Sequence, residues 1–196
     1  FNGYRGNCDF NPANWVMVPA NSAVGVAADF CVAKFEMKIV GISNGNKVYA
    51  SADVAESRAT GTPWVNITRD NAIAECAAMP TAGKYALISN PQWQALARNI
   101  EGVQSNWSGG SSAGSTSSLN RGHSDNSPAN SLAASTIDTE GCINTGQTVS
   151  CTNSDPINTF SQKRTHTLSN NNIIWDVAGN VYEWVSTPNT TVQGSE

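Results

Sequence analysis

"WDVAGNVYEW", residues 175–184, decides how the rest of this chain is read. Two tryptophans and a tyrosine bracket a Gly-Asn pair, with Asp176 on one side and Glu183 on the other. Asp and Asn beside Gly favour a turn, and aromatic residues favour strands, so one reading is a hairpin between buried strands. The other is a cation site, because calcium takes hard oxygen ligands from carboxylates and backbone carbonyls. The residues alone leave both open.

Around this stretch lie 196 residues, enough for one domain with a real core and short for two. Charged residues make up 13%, about half the usual share, and serine, threonine, asparagine and glycine fill the gap. That mix suits a loop-rich protein in an extracytoplasmic setting: secreted, periplasmic or on a cell surface. A net charge of −4 and the absence of a Lys/Arg cluster exclude nucleic acid as a partner. The apolar run "SAVGVAADFCVA" is broken by Asp29 and is too short to span a bilayer. No signal peptide opens the chain, which begins at Phe1 and reads as a processed or excised fragment.

Five cysteines stand at 8, 31, 76, 142 and 151, none in C-x-x-C spacing, so a zinc ribbon or thioredoxin motif has no support. "CINTGQTVSC" places Cys142 and Cys151 at the ends of a short loop, where a disulfide closing a hairpin is the natural reading. Cys31 and Cys76 form a candidate second bridge, the alternative being two buried thiols. Cys8 is left over, free or paired outside this chain.

Working outward, "NWVMVPA" (14–20) predicts a short strand and "DFCVAKFEMKIV" (29–40) a long one. On the latter Cys31, Ala33, Phe35 and Met37 share one face, and Val32, Lys34 and Glu36 the other. A polar excursion follows to Trp64. Thr68 caps a predicted helix over 69–79 that aligns Ile73, Cys76 and Ala77. "KYALIS" (84–89) reads as a strand leading into a second helix. There Ser89 and Gln92 form a capping box, Pro91 sits in the first turn, and Trp93, Leu96, Ala97 and Ile100 make the apolar stripe. From 104 to about 170 the periodicity dissolves, and structureless stretches of that length are commonly functional.

Catalytic motifs are weak. "GSSAG" (110–114) matches a serine-hydrolase elbow by letter but lies in a Ser/Gly tract without the required strand and helix. Two histidines, His123 and His166, cannot build a His-rich zinc site. "RGHSD" (121–125) is either a self-satisfying turn or a polar ligand rim. Lys34 and Glu36 on one strand face read as a structural ion pair.

In order, "FCVAKFEM", "GTPWVNIT", "YALISNPQWQALARNI", "NRGH", "RTHTLSN" and "IIWDVAGNVYEWV" resemble the formylglycine-generating-enzyme (sulfatase-modifying factor) domain, a variant of the C-type lectin fold. The resemblance spans residues 14–186, with an N-terminal extension over 1–13 and a polar tail over 187–196. It implies an α+β domain with two helices, small antiparallel sheets and long irregular loops. It also implies a structural calcium held by Asp176, the carbonyls of Gly179 and Val181, and Glu183. Enzymes of that family oxidise a substrate cysteine with copper held by two cysteines, after an R-G-G-[ST]-W strand and before a closing G-F-R strand. None of those motifs occurs here, and Cys142 and Cys151 precede the opening stretch, so no copper is expected in this chain. The missing strands would normally pair with the N-terminal one, and Cys8 is a candidate partner for a cysteine in that segment.

The resulting expectation is a non-catalytic bacterial surface or secreted module that recognises a glycan or protein ligand through its long loops. Asn106, Trp107, Asn120, Arg121, His123 and Asp125 are the candidate contacts. The alternatives are an oxidase whose catalytic segment lies outside this chain, and a structural fibre domain that forms a trimer.

Overall fold

A computed structural model describes residue 8 and residues 13–79, 85–108, 118–124, 130–145 and 162–186. Its strands are β1 (Trp15–Val18), β2 (Phe30–Ala33), β3 (Met37–Ile39), β4 (Ala55–Ser57), β5 (Thr165–Thr167) and β6 (Ile173–Trp175), with helices α1 (Arg69–Ala78) and α2 (Asn90–Glu101). The strands form three antiparallel pairs, β1–β2, β3–β4 and β5–β6. This is an α+β protein with two helices and small antiparallel sheets among the described residues.

The main core lies where α2 meets β1, β2 and β6. Val16, Val18, Phe30, Leu96, Ile100 and Ile174 are buried together there. α2 forms as its sequence dictates: the Ser89 hydroxyl accepts from Gln92 N while the Gln92 side chain accepts from Ser89 N at 3.0 Å. That reciprocal cap satisfies two otherwise orphaned donors and pins the N-terminus of the helix. The buried stripe is Ala95, Leu96 and Ile100, with Trp93 and Ala97 half-buried at its edge.

Several expectations are corrected. The strand expected over 29–40 is two strands in different sheets, separated by a bend at Lys34–Glu36. At the bend Lys34 O accepts from Trp175 N at 2.9 Å, and the Ser57 hydroxyl reaches Asn14 O at 2.7 Å. Phe30 serves the main core, whereas Phe35 packs with Trp175 and Ala134, so the apolar phase changes across the bend. The polar excursion contains β4, which pairs with β3 over a third cluster of Ile39, Ala55 and Trp64. Residues 85–89 lie outside any ladder, and Ile88 O accepts a single backbone bond from Ser186 N at 2.9 Å. α1 has the expected Thr68 cap, but its buried positions are Ala72 and Glu75, with Ala77 exposed. Glu75 is covered on the side of α1 that faces Tyr49, whose hydroxyl is pushed up by desolvation and then by the Glu75 charge, a proximity that an apolar pattern cannot reveal.

The cysteine pairing also differs. Cys31 is bonded to Cys8, across 23 residues of sequence, and Cys76 is free. Burial lifts the Cys76 thiol to about 11, which keeps it protonated and unreactive. Cys142 is disulfide-bonded, and its expected partner Cys151 lies outside the described residues.

Candidate functional site

The segment after β6 is a chain of bends rather than a hairpin, and residues 182–185 join no sheet. Asp176 and Asn180 adopt φ of 56° and 66°, a left-handed region that Asp and Asn enter more readily than most residues. Gly179, at φ 99°, has no such choice: a Cβ there would sit 2.7 Å from His123 O. The turn is tied to the segment beneath it by Gly122 N to Ala178 O at 2.6 Å and Asn180 N to His123 O at 2.7 Å.

Arg164 is the anchor. It is fully buried, and its Nε and Nη2 donate to Asp176 Oδ1 and Oδ2 at 2.7 and 2.8 Å. The same guanidinium donates to Leu132 O and Ala133 O at 3.1 and 2.9 Å, drawing in the segment that begins at Asn130. Asn180 clips that segment from the other side, accepting from Leu132 N at 2.8 Å and donating to Glu36 Oε2 at 2.5 Å. Burial, the largest influence, raises the Asp176 carboxyl above its usual value, and the two Arg164 bonds pull against it.

The calcium ligands implied by the resemblance were Asp176, Gly179, Val181 and Glu183. Both Asp176 oxygens face Arg164, so a divalent ion that needs several oxygens would have to displace a buried guanidinium. As arranged, the set fits calcium poorly, and no group of three or more His, Cys, Asp or Glu is placed to hold a metal among the described residues. Burial first, and the Asp176 charge second, push the Glu183 carboxyl up to about 8. As a residue Glu183 is nonetheless exposed, and water that reaches it moderates that rise. Glu36 is raised well above its usual value by burial, then by Asp176 and Glu183, against Lys38 and Asn180.

The expected loop contacts are mostly internal. Asn106 is fully buried and exchanges bonds with both Thr167 N and Thr167 O at 2.8 Å, clamping the end of α2 to β5. Asn120 and His123 are buried, and the Trp107 indole donates to Glu101 O at 2.9 Å. Arg121 is exposed, and Asp125 lies outside the described residues. Asn106, Asn120 and His123 therefore do not form a solvent-facing ligand rim: all three are buried, and the Asn106 amide is spent on buried backbone.

His166 gives this region a pH dependence. Its Nε2 donates to Asn120 O at 2.8 Å, and Nδ1 has no hydrogen-bond partner. Burial drops the imidazole to about 4, with the Lys163 charge assisting and the Asn120 carbonyl opposing. Between that value and an unfolded value of about 6.5, the unfolded chain binds the extra proton. The neutral imidazole's contribution is complete above roughly pH 6.5 and is lost as pH falls, by up to about 3 kcal/mol. The raised carboxyls of Glu36 and Asp176 act in the opposite sense, so the comparison needs a variant. Urea titrations should show the parent's advantage over His166→Gln shrinking on acidification, and a constant advantage would contradict this.

What the turn does place at the surface is Tyr182, fully exposed, and Trp184, 49% exposed. The Trp184 indole is held by a bond to Ile67 O at 3.1 Å. They border a cleft of about 630 Å³ whose other walls carry Asn44, Asn46, Thr62, Asn130 and Ser131. No charged residue is among the described residues that line it. Sequence reasoning missed this surface, because isolated amides in a polar excursion carry no periodic signal. The one available clue was that Tyr182 and Trp184 alternate around Glu183 and so share a side.

No protein-family model, no curated protein and no solved structure matches the chain.

Proposed function

We propose that this protein is a non-catalytic extracellular recognition module that binds an uncharged glycan in the cleft beside Tyr182 and Trp184. The observation that carries the reading is the composition of the cleft: amides and hydroxyls, two exposed aromatic rings, and no charged side chain among the described lining residues. Sugars present hydroxyls to amides and their C–H faces to aromatic rings, and a few placed polar groups in a concave site set specificity. A charged ligand would find no counter-charge among the described residues of these walls. Two observations support an oxidising, extracytoplasmic setting: the Cys8–Cys31 bridge and the bonded state of Cys142. No helix among the described residues is long and apolar enough to cross a membrane.

The test is a glycan array probed with the full chain, followed by affinity measurements on the captured sugar. Tyr182→Ala should weaken binding roughly tenfold or more, as removal of an aromatic anchor does. Because Tyr182 is fully exposed, its melting temperature should stay that of the parent. Equal affinity of the two proteins would refute the assignment.

A further inference from the structure

On the inner side of the same turn is a second cavity, of about 200 Å³, with a different chemistry. Trp15, Trp64, Tyr85 and Trp93 stand on its wall, and Tyr182 and Trp184 border it as well as the cleft. Three carboxylates line it, Glu36, Glu75 and Glu183, and no Lys, Arg or His is among the described lining residues. We propose that this cavity binds an organic cation with a compact apolar body, a quaternary or tertiary ammonium group.

The three acids are not equivalent. Glu75 lies beside Tyr49. Glu36 has one oxygen on Asn180, while Oε1 is buried and has no hydrogen-bond partner. Lys38 is the basic neighbour of Glu36, but its Nζ makes no hydrogen bond and Lys38 is not on the cavity wall. Glu183 has the Asp176 and Glu36 carboxyls as its acidic neighbours, and Asp176 is already bonded to Arg164. A buried acceptor left unmet carries a standing cost, which a ligand would relieve.

Alternative ligands satisfy fewer of these features. An anion meets three acids and no basic side chain among the described lining residues, and a neutral hydrocarbon fills the space but leaves Glu36 Oε1 unmet. A hard metal ion gains nothing from indole walls. A methylated ammonium uses both parts, since its charge is attracted to carboxylates and to the faces of Trp and Tyr while its methyl groups pack against the apolar lining. The site shares Trp64, Tyr182 and Trp184 with the glycan cleft and differs from it in its three carboxylates, none of which is on the cleft walls.

Calorimetric titration of the full chain with choline, and with its uncharged carbon isostere 3,3-dimethyl-1-butanol, tests the assignment. Choline is expected to bind at least about tenfold more tightly than the isostere. Glu183→Gln, which keeps the side-chain volume, should remove most of that preference while a thermal melt confirms that the variant is folded. Glu36→Gln is a second variant expected to weaken choline, should the first fail to fold. Equal affinity for the two probes, no saturable choline binding at millimolar concentrations, or an undiminished preference in a folded variant would overturn the proposal. None of these results bears on glycan binding, which is read from Tyr182→Ala on the captured sugar.

Discussion

Arg164→Ala should cost about 4 kcal/mol of folding stability, the range found when one partner of a buried ion pair is removed. The side chain is fully buried and forms a two-bond fork with Asp176, itself 1% exposed, and it also supplies donors to Leu132 O and Ala133 O. The Trp175 ring lies 5.5 Å from the guanidinium carbon. Truncation to alanine leaves a buried carboxylate beside Glu36 and strips the segment from Asn130 of its anchor. Since domains have only about 5–15 kcal/mol in total, the variant would be close to unfolding. Arg164→Lys should rescue little, because an ammonium cannot reproduce the planar fork. Urea unfolding followed by tryptophan fluorescence measures the loss. The double variant Arg164→Met/Asp176→Leu should lose less than the two single changes summed, because no uncompensated charge remains. A loss below about 1 kcal/mol in Arg164→Ala would mean that the pair is not the anchor described.

The second large effect is expected at Gly45→Ala. A Cβ at this position would lie 1.8 Å from Pro63 O and 2.5 Å from Thr62 O, both backbone atoms. The two segments have little freedom to part, since Gly45 N donates to Thr62 Oγ1 at 2.8 Å and Val65 N to Gly45 O at 3.1 Å. Separating them should cost about 3 kcal/mol, the upper range for overpacking a tight site. The consequence is also functional, because Asn44, Asn46 and Thr62 form one wall of the cleft. We expect a lowered melting temperature and, in the remaining folded protein, a loss of glycan affinity. An unchanged melting temperature would show that the close approach is not essential.

What could be read from sequence was local. The capping box of α2 and the Thr68 cap of α1 formed as written, because each depends on residues a few positions apart. The disulfide at Cys31 was not legible: spacing does not determine connectivity, and Cys8 was the residue left without a partner. The bend at Lys34–Glu36 was hidden because an alternating pattern continues smoothly through a point where the chain changes sheets. Arg164 and Asp176 were hidden for another reason, since charged residues read as surface until their partner is known. The opening stretch was read as two carboxylates around one ion. In the folded chain Asp176 is taken by Arg164 and Glu183 lines a cavity, so the two serve different neighbours. The proposed glycan cleft draws on four separated segments, around 44–46, 62–67, 130–131 and 180–184, and no single window of sequence contains it.

The most direct test of the central claim follows the side-chain amide signals of the asparagines by nuclear magnetic resonance as the captured glycan is added. The account predicts saturable shifts at Asn44, Asn46 and Asn130, with Asn106 and Asn120 unmoved because they are buried in the body of the fold. Failure of the chain to capture any uncharged glycan, or shifts centred on Arg121 with the cleft asparagines silent, would contradict it.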